Sequence, residues 1–99
     1  MNQEFTITVF TENHVGMLGR LSLIFSRRGM NIERLTVNDS SIEGIKKITI
    51  VLNSLGNQVV KIVKQIEKQV DVLKAFYHGY DEILHHTINS KQEKFLSVN

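Results

Sequence analysis

From Phe5 to Thr11 the chain alternates, with Phe5, Ile7 and Val9 on one side and Thr6, Thr8 and Phe10 on the other, which predicts a strand. Glu12-Asn13-His14-Val15-Gly16 breaks the alternation with turn formers. From Met17 the apolar positions Leu18, Leu21, Ile24 and Phe25 fall at helical spacing, Arg20, Ser22 and Arg27 fill the other face, and Gly29 reads as a C-cap. A second strand is expected from Asn31 to Asn38, with Leu35 and Val37 as its apolar face. Asp39-Ser40-Ser41-Ile42-Glu43-Gly44 reads as a hairpin connection, leading into a third strand from Ile45 to Leu52. A second helix is expected from about Gln58 to Gln69, with Val59, Val63, Ile66 and Val70 as its stripe. Val72 to Tyr80, rich in β-branched and aromatic residues, completes the pattern as a fourth strand.

This order, βαββαβ, predicts an α+β domain of the ferredoxin-like class. Its four-stranded antiparallel sheet carries both helices on one face, because the two crossovers are right-handed. The domain is expected to span residues 4–80, with 81–99 a C-terminal extension or tail.

Composition narrows the chemistry. The 99 residues are 41% hydrophobic, enough for one core, which must be mainly Ile, Val and Leu because there are five Phe, two Tyr and no Trp. The absence of cysteine removes disulfides, thiolate metal sites and cysteine nucleophiles together. A net charge of +2 with dispersed basic residues, apart from Arg27-Arg28 and Lys46-Lys47, lacks the basic stripe with exposed aromatics of a nucleic-acid binder. No apolar run approaches a membrane span, and the polar start does not resemble a signal sequence, so a soluble cytoplasmic protein is expected, with no nucleic acid and no membrane as partner.

The fold hosts many activities, so function has to come from a site. A metal-chaperone version needs Cys-x-x-Cys. An RNA-recognition version needs stacking aromatics on its central strands, and Ile45 to Leu52 has none. An acylphosphatase-type catalytic version wants an arginine in an anion-cradling first loop, where this chain has Glu12. Adjacent histidines on a strand point to opposite faces, so His85 and His86 cannot chelate together, and no nearby acid pair completes a site with them or with His78, so no metal site is expected. Asp81-Glu82 faces no nucleophile or general-acid partner in a recognisable frame, and no catalytic residue is assigned.

Glu12-Asn13-His14-Val15-Gly16-Met17-Leu18, followed by Phe25-Ser26-Arg27-Arg28-Gly29-Met30-Asn31-Ile32-Glu33, resembles the ACT domain of the acetolactate synthase (acetohydroxyacid synthase) small regulatory subunit family. Leu35-Thr36-Val37, Lys47-Ile48-Thr49-Ile50 and Val63 to Lys74 extend the likeness over about residues 4–80. The resemblance implies a non-catalytic regulatory subunit with no cofactor of its own. It implies a homodimer that binds an amino-acid effector, valine, between its subunits. It also implies a partner, the thiamine-diphosphate-dependent catalytic large subunit, which the small subunit activates and subjects to feedback inhibition. Position 15 is Val where many ACT loops carry proline. Many small subunits continue into a second domain, so this chain reads as a short single-domain subunit or part of a longer one.

The loop chemistry fits such an effector. Gly16 lets backbone N–H groups approach a ligand, and the helix that follows offers its positive end to a carboxylate. Asn13 and Asn31 supply amides for a free amino acid's carboxylate and ammonium. Val15, Met17, Leu18 and Ile32 supply apolar surface, and burying a valine-sized group there is worth about 1.5–3 kcal/mol. Carried over from the family, Asn13, His14, Val15, Gly16, Met17 and Leu18 of one chain would face Asn31 and Ile32 of the other. The plainer readings are a turn glycine at Gly16, an N-cap at Asn13 and a strand-entry residue at Asn31. A sensor of another amino acid, or a purely structural dimerisation module, are the competing functions.

Overall fold

The computed structural model describes residues 2–79. Six elements follow in the expected order: β1 (Gln3–Thr11), α1 (His14–Arg27), β2 (Ile32–Asp39), β3 (Lys46–Ser54), α2 (Gly56–Glu67) and β4 (Val72–Gly79). The expected extension 81–99, with His85, His86 and Asp81-Glu82, lies outside the described residues. The strands form one antiparallel sheet in the order β2-β3-β1-β4, which leaves β2 and β4 as edges. No helix among the described residues is long and apolar enough to cross a membrane.

Alternation decides which side chains go inside. Phe5, Ile7 and Val9 of β1, Ile48, Ile50 and Leu52 of β3, and Ala75 of β4 form a single cluster with Met17, Leu21, Ile24 and Phe25 of α1 and Val59, Ile62, Val63 and Ile66 of α2. In β2 the core positions are Ile32, Leu35 and Val37, whose spacing does not fit a regular strand, because residues three apart point to opposite faces. The register absorbs the mismatch. Ile32 pairs with Leu52 and Leu35 with Ile50, so Glu33 is the extra residue of a bulge and both apolar side chains turn inward.

Two helix boundaries differ from the sequence reading. Helix α1 starts at His14, not Met17, so Val15 and Gly16 belong to its first turn and not to a loop. Asn13 makes this possible by capping the helix in a left-handed conformation, φ 44°, ψ 58°. Helix α2 runs Gly56–Glu67, and its stripe is Val59, Ile62, Val63 and Ile66. Val70, expected in that stripe, lies beyond the helix end and is 92% exposed. At the far end of α1, Gly29 (φ 65°) donates to Ser26 O and Met30 donates to Phe25 O, the two bonds of a Schellman stop.

Candidate functional site

Helix α1 begins with donors to spare. Met17 N–H bonds to Asn13 O at 3.0 Å, and Gly16 N–H reaches Asn13 Oδ1 at a long 3.4 Å. The N–H groups of His14 and Val15 meet no acceptor among the described residues. The first turn carries no acidic side chain, so its positive dipole end is open to an anion. A Cβ at Gly16 would lie 2.6 Å from Asn13 Nδ2, so any other residue there would turn the Asn13 amide aside. The glycine therefore lets the Asn13 amide lie across the head of the helix.

Around this point the expected side chains divide. His14 is half-buried, Val15 is 71% exposed, and Leu18 is half-buried against the core. Met17 is wholly buried. Because the helix starts three residues early, Met17 falls on the inner stripe with Leu21 and Ile24, and its side chain is not available to a ligand. Asn31 and Ile32 sit at the opposite end of α1, about 20 Å away along a helix of this length. There they line a cleft of about 350 Å³ with Ser22, Phe25, Ser26 and Met30. A single chain thus separates the two groups of candidate residues.

Beneath the Asn13 turn lies a set of contacts that the sequence reading missed. Asp71, between α2 and β4, accepts Glu12 N–H at 2.9 Å and Thr11 Oγ1–H at 2.9 Å on its carbonyl. Its carboxylate pairs with Arg20 Nη2 of α1. The available signal was Thr11 itself, a polar residue in phase with the inward positions Phe5, Ile7 and Val9. Among the described residues no cluster of His, Asp or Glu has a metal site's make-up.

The profile of an AHAS small subunit-like ACT domain matches residues 7–74. The chain belongs to this family. The acetolactate synthase small subunit of Bacillus subtilis (strain 168) is 41% identical to it over 70 residues, 70% of this chain and 41% of that protein. That of Mycobacterium leprae (strain TN) is 33% identical over 79 residues, 80% of this chain and 47% of the relative. The crystal structure of the small subunit from Thermotoga maritima aligns with a TM-score of 0.68 at 28% identity, covering 76% of this chain and 47% of that one. The ACT domain from GTP pyrophosphokinase of Chlorobium tepidum has a TM-score of 0.65 at 15% identity, a likeness of fold alone. This ACT domain accounts for the likeness throughout, and the chain spans less than half the length of the small subunits it matches.

Proposed function

We propose that this ACT domain is the effector-binding module of an acetolactate synthase small subunit, a regulatory component without chemistry of its own. It binds valine between two copies of the chain and transmits feedback inhibition to the catalytic large subunit, which it also activates. The thiamine-diphosphate chemistry belongs to that partner.

The observation that carries this reading is the head of α1, where two N–H groups with no acceptor among the described residues stand beside the Asn13 amide and the exposed Val15. An amino-acid carboxylate can take those N–H groups and displace the weak Asn13–Gly16 bond. The second half of the site follows from symmetry. A twofold axis that pairs the free edge of β2 with itself sets β2 and α1 antiparallel to their counterparts. The head of one α1 then lies beside the tail of the other, where Asn31 and Ile32 line their cleft. Val15, Gly19, Ser22 and Ser26 form an exposed stripe of mostly small side chains along α1, suited to close helix contact. A Cβ on Gly19 would meet nothing within 4 Å in this chain, so internal packing does not account for that glycine.

Calorimetry of the chain against each amino acid tests the proposal, joined to co-elution with a large subunit with and without valine. Valine-specific binding that alters the activity of the co-eluting enzyme is expected. Binding only of phenylalanine, serine or glycine would replace valine sensing with a different sensor. Dimerisation with no amino-acid response would leave a structural module.

A further inference from the structure

Asn13 is of the residue type that, after glycine, most readily turns left-handed, and contacts from outside its turn hold the chain leading into it. Among the described residues it is the only non-glycine with positive φ. Such a conformation persists when the surroundings over-determine it. The two residues before it are fixed by one residue 60 positions away in sequence. Asp71 O accepts from Glu12 N–H and from the fully buried Thr11 hydroxyl, while the Asp71 carboxylate holds Arg20 two turns into α1. Thr11 Oγ1 also lies 2.8 Å from Glu12 O, so its one proton is shared between the carbonyls on either side of the turn. Strand end, turn and helix are thereby tied to a single point.

We propose that Asp71 is a positioning residue for the effector site. Its carbonyl clamps Thr11 and Glu12, and its carboxylate ties that carbonyl to α1 through Arg20, so that Asn13 is held left-handed with its amide over the helix head before any ligand arrives. The effect on binding rests on the valine-site reading above; the clamp itself does not. Without the clamp the binding-competent turn is populated only part of the time, and the apparent affinity falls by that fraction.

The test uses Asp71→Ala, whose side chain is partly exposed, and Thr11→Val, which keeps volume and removes the hydroxyl. Asn13 backbone chemical shifts in the ligand-free protein report its φ, and valine affinity is measured well below the melting temperature. Thr11→Val is expected to cost Asn13 its left-handed signature and to weaken valine binding about tenfold, and Asp71→Ala, which keeps the carbonyl and frees only Arg20, to shift both in the same direction by less. The Arg20→Asp/Asp71→Arg exchange is expected to recover much of what Asp71→Ala loses, and Asp39→Asn, which removes an ion pair on the hairpin, to change neither signature nor affinity. A folded Thr11→Val protein whose Asn13 shifts stay at wild-type values would overturn the clamp, whether or not valine binds. Loss of the signature in a protein that never binds valine would uphold the clamp and reject the valine site. If Thr11→Val fails to fold, hydrogen exchange of the wild-type chain decides: strong protection of Glu12 N–H is expected, and free-peptide exchange there overturns the proposal.

Discussion

Asn13 performs two separable tasks, one with its backbone and one with its amide. Glycine adopts a left-handed conformation without strain and is an acceptable N-cap, so Asn13→Gly should change stability by only a few tenths of a kcal/mol. It removes the amide assigned to the effector, however. Losing a hydrogen bond to a charged group costs about 1.5–3 kcal/mol, roughly a tenfold to hundredfold loss of valine affinity. Urea unfolding and calorimetry on the same samples check both halves, and unchanged affinity would remove Asn13 from the site. Residue chemistry made Asn13 and Gly16 visible as candidates in the sequence. It did not show that Gly16 accommodates the Asn13 amide, or that an early helix start turns Met17 into the core. Both depend on a backbone angle at Asn13 that no local pattern announces.

Among the elements, α1 carries the sharpest expectation. Gly19 lies on its exposed face with room around it, so Gly19→Phe should leave the monomer's fold and helix content intact. It should weaken the proposed dimer by at least about tenfold, because a bulky side chain would separate the two helices. Sedimentation over a concentration series measures this, and an unaltered dimer would place the interface elsewhere. The β2–β3 hairpin gives a pH expectation. A hydrogen bond from Lys46, and its charge, hold the Asp39 carboxyl below its ordinary 3.8. A lowered folded-state pKa stabilises above the unfolded value and is lost as pH falls through the folded one. The small stability gap between wild type and Asp39→Asn should therefore be present at neutral pH, close on acidification below about pH 3.9, and shrink with salt. A gap that persists in acid would show that the charge is not its source. Element types were all legible, since alternation and helical spacing are strong in each. The Glu33 bulge was not, because it shows only when Ile32 and Leu35 are matched to partners in β3. The early end of α2 misled the reading of Val70, whose spacing fits a stripe that the helix does not reach.

At the scale of the molecule, the order of elements and the edge position of β2 follow from the sequence, and the family match agrees with them. The site proposed here needs two chains, because α1 keeps Asn13 and Asn31 of one chain about 20 Å apart. The central claim is that two chains complete it, and mixing experiments test that directly. Asn13→Ala and Asn31→Ala proteins are each expected to fold, dimerise and fail to bind valine. In a mixed dimer one site carries both defects, while the other joins an intact Asn13 turn to an intact Asn31. Unfolded and refolded together at equal concentration, the two variants should regain valine binding at about one quarter of the total sites, with wild-type affinity. No recovery above the separate variants would contradict the two-chain site.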